Sequence, residues 1–255
     1  MLAADTEEFP LLANLAQPGD RLRNHRADDV TTPAIPDYLR LNYWWAYVHP
    51  AAVKLFERGW LVDLILWGNY RQLSAAALAA LGETLDGPTL QVACVYGDLT
   101  PRLSDRVGHD GGNLDVVDVL PVQLENLRRK LPANTAVRML EQDSSDLDIP
   151  DATYDQALLF FLLHEQPADI RRRTVSETLR VVKPGGRVVI VDFARPKWWH
   201  PLRYSWLPFI SRLEPFAADM WRTPNGLALP PETDHPRTQR RFFGGMFQMV
   251  TLTRR

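Results

Sequence analysis

Thr89-Leu90-Gln91-Val92-Ala93-Cys94-Val95-Tyr96-Gly97-Asp98 runs from an uncharged apolar segment into a turn that holds a single glycine. The segment Thr89–Tyr96 predicts a buried parallel strand, which needs apolar side chains on both faces. The turn leaving such a strand normally carries two or three glycines, because backbone without a Cβ lets a bound molecule come close. Here only Gly97 keeps that freedom.

Outward from this strand the pattern alternates. Helical spacing over Leu99–Gly108, Pro121–Leu131 and Asp169–Val182 is interleaved with apolar strands over Asn113–Val119, Thr135–Glu141, Tyr154–Phe160 and Arg187–Phe193. Such alternation predicts an α/β, doubly wound, Rossmann-like parallel sheet with crossover helices. Lys183-Pro184-Gly185-Gly186 is read as the turn that stops the last of these helices. Two strands around Gly244-Gly245, within Arg241–Leu252, predict a terminal antiparallel hairpin. On the other side, apolar residues from Tyr38 to Leu81 recur at helical spacing, broken by Pro50, and predict helices over 37–47, 50–67 and 70–82. The expected organisation is a flexible arm (1–36), an N-terminal helical cap (37–88) and the α/β domain (89–255), with an insertion of short helices at 194–230.

Composition narrows the function. With 45% hydrophobic and 24% charged residues the chain falls in the globular range and can bury a core. A formal charge of -2 offers no overall field for nucleic acid, so no nucleic-acid partner is expected despite Arg171-Arg172-Arg173 and Arg240-Arg241. The lone Cys94 excludes an internal disulfide. No secretory pattern and no long uncharged run is evident, which predicts a soluble or peripheral protein. Eight Trp fall in two blocks, Trp44, Trp45, Trp60 and Trp67, then Trp198, Trp199, Trp206 and Trp221. Those blocks suit either core packing or a membrane interface, where Trp is favoured and Lys197, Arg203 and Arg212 could meet head groups.

The order of elements, the acids Asp118 and Asp143 after the second and third strands, and Leu179–Phe193 with its Lys-Pro-Gly-Gly block resemble the class I S-adenosylmethionine-dependent methyltransferases, with the ubiquinone and menaquinone methyltransferases the nearest branch. Over 38–255 the chain is similar to the rhodoquinone biosynthesis family, on Asn42–Pro50, Val92–Thr100 and Arg241–Met246. That resemblance implies replacement of a ubiquinone methoxy group by an amino group in anaerobic respiration. It also implies S-adenosyl-L-methionine as amino donor, manganese (Mn2+) as a helper, and a cytoplasmic location peripheral to the inner membrane.

Site residues follow from both readings. The methyltransferase pattern has a carboxylate near Gln91 and glycines at Ala93 and Val95, so Gln91, Ala93, Val95, Tyr96 and Gly97 are the expected cofactor loop. A neutral residue at 91 holds an ammonium group less firmly than an acid, which would favour the free, nucleophilic amine. Asp118, 21 residues after Gly97 at a strand tip, suits ribose hydroxyls, and Asp143 and Ser144 suit adenine, with Leu147 or Ile149 covering the ring. Phe160 closes the fourth strand beside the same edge. Candidate manganese ligands are Asp143, His164 and Glu165, with Asp98 behind them, although no recognised metal spacing is present. Tyr96, His164 and Tyr43 are the candidates for proton transfer. Two rival functions stand beside amination, namely ordinary quinone methylation and a non-catalytic quinone-binding or assembly protein.

Overall fold

The computed structural model describes residues 35–43, 53, 55–133, 135–204, 212, 214–223, 225–232 and 234–255. Seven strands form one sheet: β1 (Pro88–Val92), β2 (Asn113–Asp118), β3 (Val137–Glu141), β4 (Tyr154–Phe160), β5 (Val182–Phe193), β6 (Arg237–Phe242) and β7 (Phe247–Thr253). Their order is β3-β2-β1-β4-β5-β7-β6. The first five are parallel, and β7 runs antiparallel to both β5 and β6. This is the expected doubly wound sheet with a terminal hairpin. Strand order reverses between β1 and β4, so a crevice opens beyond their carboxyl ends.

The helices are α1 (Asp37–Asn42), α2 (Gly59–Ile65), α3 (Tyr70–Leu81), α4 (Leu99–Asp110), α5 (Pro121–Lys130), α6 (Ala168–Val181) and α7 (Pro215–Arg222). α5 starts with Pro121, whose missing N–H is harmless in a first turn, and ends in Arg128-Arg129-Lys130, which complements the helix dipole. The centre of the sheet is dry: Leu90, Val92, Val116, Val117, Ala157, Leu158, Leu159 and Val188–Val191 are buried.

Several boundaries differ from expectation for local reasons. β1 stops at Val92 rather than Tyr96, because Ala93 turns to φ 72° in the left-handed region and ends the extended run. Lys183-Pro184-Gly185-Gly186 is an irregularity inside a long β5, not a separate turn. There Gly185, at φ 82°, donates its N–H to the Arg254 carbonyl at 2.7 Å. Of the helix expected at 50–67, the described residues Val53, Leu55 and Phe56 are helical, the chain breaks at Glu57-Arg58, and Gly59–Ile65 is helical again; Trp67 and Gly68, both at positive φ, turn the chain into α3. Residues 44–47 of the first expected helix, most of the arm, Pro50, Trp44, Trp45 and Trp206 lie outside the described residues. Within the 194–230 segment the described residues include α7. Among the described residues no helix is long and apolar enough to cross a membrane.

Candidate active site

At the switch point lies a cavity of about 510 Å3, a size suited to a drug-sized ligand. Most of its lining is apolar. Leu61, Val62 and Ile65 of α2 close one side, the Ala93–Tyr96 loop and Phe160–Leu162 form the floor, and acids and amides gather at one end.

The loop after β1 is held by charge where glycines would ordinarily shape it. Lys130, at the end of α5, donates to the carbonyls of Val95 (3.0 Å) and Gly97 (2.8 Å) and pairs with Glu57 at 2.8 Å. Glu57 in turn accepts from the Gly97 N–H at 3.1 Å and from Asn126 at 2.7 Å. Gly97 sits at φ 85°, and a Cβ there would stand 2.6 Å from the Tyr70 hydroxyl. Ala93, also in the left-handed region, carries a strain of about 1–2 kcal/mol that glycine would avoid. Gln91 does not line the cavity. It is fully buried beneath the loop, donating to the Ala93 carbonyl and to Thr100 Oγ1, both at 2.9 Å, and its own Oε1 has no hydrogen-bond partner. Its influence on a ligand therefore passes through the loop.

Asp118 ends β2 with one oxygen accepting from the Cys94 N–H (2.7 Å) and the other from the Leu120 N–H (2.8 Å). Burial pushes its carboxyl up to about 6 against the pull of those backbone donors. The Cys94 thiol and the Val119 N–H also act on this carboxylate, which lines the cavity. Nearby, Ser144 accepts from Gln166 at 3.0 Å, and Asp143 accepts from the Ser145 N–H at 2.8 Å. The Gln142 and Gln166 Oε1 atoms are buried without hydrogen-bond partners at this end of the cavity. Two orphaned acceptors beside the Asp118 carboxylate fit a group that brings amine and hydroxyl donors, as adenosine does. Leu147 and Ile149, expected over the adenine ring, are instead packed in the main core and do not line the cavity.

His164 follows β4 in a short 3-10 turn, Leu163–Glu165, that Gln166 caps. Its Nδ1 lies 2.9 Å from Asp192 at the tip of β5, and its Nε2 lies 3.8 Å from Glu165. Asp192 is wholly buried and also accepts from the N–H groups of Leu163, His164 and Phe193. Burial alone would lower the His164 pKa, but the Asp192 charge and hydrogen bond, helped by Glu165 and Glu214, outweigh it and raise the imidazole to about 9. A charged imidazole is thus held at the cavity wall with Nδ1 fixed by Asp192.

The two tyrosines behave differently from general bases. Tyr96 lines the cavity, stacks on Phe56 at 5.8 Å and accepts at its hydroxyl from Gln123 at 2.8 Å. Burial pushes its hydroxyl well above its usual range, so it stays protonated. Tyr43 is buried in a small cluster with Leu39 and Leu120, outside the cavity lining. Burial and the neighbouring Glu214 carboxyl keep it neutral as well. Asp143, His164 and Glu165 all line the cavity, yet among the described residues no three His, Cys, Asp or Glu side chains gather as a metal-binding group. Asp192 holds only the His164 Nδ1 and the Ser145 N–H only one Asp143 oxygen, which leaves the imidazole Nε2 and the second Asp143 oxygen unassigned. Asp98 is exposed and lies outside the cavity lining.

Residues 89–186 match the family model described as a methyltransferase domain. The fold is that of the class I methyltransferases. Phosphoethanolamine N-methyltransferase 2 from Haemonchus contortus, solved in complex with S-adenosyl-L-methionine, superposes with a TM-score of 0.61 at 12% identity over 86% of this chain and 59% of that one. The PH0226 protein of Pyrococcus horikoshii superposes at 0.55, with 12% identity over 87% of this chain and 100% of that one. Among curated proteins, the chain is 33% identical over 138 residues to the ubiquinone/menaquinone biosynthesis C-methyltransferase UbiE of Idiomarina loihiensis, covering 52% of this chain and 53% of that protein. A demethylmenaquinone methyltransferase of Bacillus licheniformis is 30% identical over 59% of this chain and 64% of its own length. The chain thus spans about half to two thirds of the length of these relatives.

Within this methyltransferase fold, reading of the sequence missed Asp192, Glu57, Lys130, Gln142 and Gln166. Asp192 carries the signal that marked Asp118, an acid closing an apolar strand. Lys130 and Glu57 carry none, because their partnership joins residues far apart in sequence.

Proposed function

We propose that this chain is an S-adenosylmethionine-dependent enzyme acting on the ring of a polyprenyl quinone, and that the group it transfers is the cofactor's amine, turning ubiquinone into rhodoquinone. The cofactor reading rests on the matched domain and on the Asp118, Gln142 and Gln166 end of the cavity. The quinone reading rests on the named activities of the curated relatives and on the apolar wall of Leu61, Val62 and Ile65, which suits a prenyl tail. Amine transfer is carried by one observation, the loop after β1, where Gln91 replaces an acid and Ala93–Tyr96 supplies side chains where glycines are usual. The second reading, C-methylation, is the one the comparisons favour, through the matched methyltransferase domain and the relatives' names, and it needs no change in cofactor chemistry.

When bound, S-adenosylmethionine would supply its methyl group in one reading and its α-amine nitrogen in the other. The protein's part is common to both. His164, charged and fixed by Asp192, can give a proton to, or stabilise negative charge on, a ring oxygen or a departing methoxy oxygen. Tyr96 and Phe160–Leu162 line the same cavity. No step is assigned to manganese.

The test is incubation of the protein with short-tailed ubiquinone, and separately with its analogue lacking the ring methyl, each with S-adenosylmethionine labelled with nitrogen-15 at the amine, with and without added manganese, followed by mass spectrometry of the quinone. Label in the ring product supports amination. A product of a demethylated quinone heavier by one methyl, without label, supports methylation and overturns the first reading. Cofactor binding with neither product from either quinone overturns both.

A further inference from the structure

A second cleft, of about 330 Å3, lies beyond Phe193 and is lined by Arg195, Arg237 and Arg241 with Gln239 and Gln248. Arg237, Gln239 and Arg241 alternate along β6 and so share one face of that strand. Arg195 and Arg241 form no ion pair among the described residues, and Arg237 approaches Glu232 only at 3.8 Å. Ala194–Tyr204 and β6 together carry Arg195, Lys197, Arg203, Arg237, Arg240 and Arg241 and no Asp or Glu, within a chain of net charge -2.

The same edge exposes aromatic rings. Trp198 is 75% exposed, Trp199 53% and Tyr204 71%. Lys197 sits over the Trp199 ring at 5.8 Å, and its backbone N–H donates to the Gly244 carbonyl. Lys197 and Arg241 both approach Gly245, which joins the Trp segment to the arginine cleft. Exposed Trp and Tyr interleaved with Lys and Arg match a bilayer interface, where rings settle at headgroup depth and cations reach phosphates.

We infer that this face docks on an anionic phospholipid bilayer, with a headgroup phosphate held by Arg195, Arg237 and Arg241. The choice of occupant follows the quinone reading, whose tail lives in such a bilayer, while the geometry does not depend on it. Phe193, the residue before Ala194, lines the catalytic cavity, and the Phe193 and Trp221 rings stand 6.4 Å apart, so the docked face adjoins the site.

The experiment is co-sedimentation of the full chain with quinone-free vesicles of phosphatidylcholine alone or with added phosphatidylglycerol. Binding is expected with phosphatidylglycerol only, and should weaken as salt is raised. Arg195→Ala/Arg241→Ala should lower the partition coefficient roughly 25-fold, from about fivefold per basic residue near the surface. Trp198→Ala/Trp199→Ala should lower it too, and both variants should keep wild-type circular dichroism and affinity for S-adenosylhomocysteine. Equal binding to neutral vesicles, wild-type binding by the arginine variant, no binding at all, or release of vesicle-bound protein by RNA each overturns the proposal. Because no quinone is present, failure here leaves the catalytic reading untouched.

Discussion

Removing Lys130 isolates what holds the altered loop. In Lys130→Met the aliphatic stem survives, but the ammonium group's bonds to the Val95 and Gly97 carbonyls and its pairing with Glu57 are lost together. Breaking a fully buried ion pair costs about 3–5 kcal/mol, since the remaining charge is stranded. The side chains of Lys130 and Glu57 keep 15% and 22% exposure, so water recovers part of this and about 2–3 kcal/mol is expected. For a domain of this size each kcal/mol lowers the melting temperature by roughly 2–4 °C, so thermal denaturation should show a drop of about 4–12 °C. Calorimetric titration with S-adenosylhomocysteine should show weakening of at least tenfold, because the loop backbone loses its anchor. Lys130→Met/Glu57→Gln should be less damaged than the two single losses added together, by about 1–2 kcal/mol of coupling. Strict additivity, or a Lys130→Met protein that melts and binds like the wild type, would refute the account of the loop.

Other outcomes follow from single contacts. His164 has a folded pKa of about 9 against an ordinary 6.5, so its contribution to stability is full below pH 6.5 and is lost as pH rises toward 9, about 3 kcal/mol in all. Denaturant titrations across that range should show the fall in the wild type and a flattened profile in Asp192→Asn, whose imidazole lacks its charge partner; an unchanged slope would contradict the pairing. Ala93→Gly should be neutral or stabilising by up to about 1 kcal/mol in chemical denaturation, because it relieves a left-handed φ of 72°, and a clear loss of stability would show that Ala93 is not strained. Gln91→Glu removes the donor to the Ala93 carbonyl and Thr100 and should destabilise by about 1–3 kcal/mol. In the amination reading it should also reduce nitrogen transfer, and full transfer by this variant would sink the loop argument.

The sheet was legible because its determinants are local. Apolar runs such as Ala157–Phe160 within Tyr154–Phe160 read as buried strands when helical segments alternate with them, and that strand has the expected ends. Two boundaries were not legible for an equally physical reason. Val92-Ala93-Cys94-Val95 reads as continuous strand by hydrophobicity, but Ala93 is forced to positive φ by the turn toward Gly97, a conformation no side-chain pattern announces. Lys183–Gly186 reads as a turn by its Pro-Gly-Gly composition, yet bonds such as that from Gly185 to Arg254 absorb it into β5.

The site divides along the same line. Asp118, Asp143, Ser144, Phe160, His164 and Glu165 line one cavity because each ends or follows a strand at the carboxyl edge, and strand ends can be found from sequence. What gives the cavity its chemistry came from pairings across long separations: Asp192 with His164, Lys130 with Glu57, Gln166 with Ser144. These explain why the loop can depart so far from a glycine-rich pattern. In glycine-rich loops, backbone freedom sets the shape, and a lost glycine deforms it. Here the Lys130–Glu57 pair grips both carbonyls and an N–H of the loop, so shape is enforced from outside and positions 93–96 are released to carry side chains. Tyr96, placed in the cavity by that release, is then free to be selected for the substrate, which links the unusual strand-to-loop sequence to whatever transfer this cavity performs.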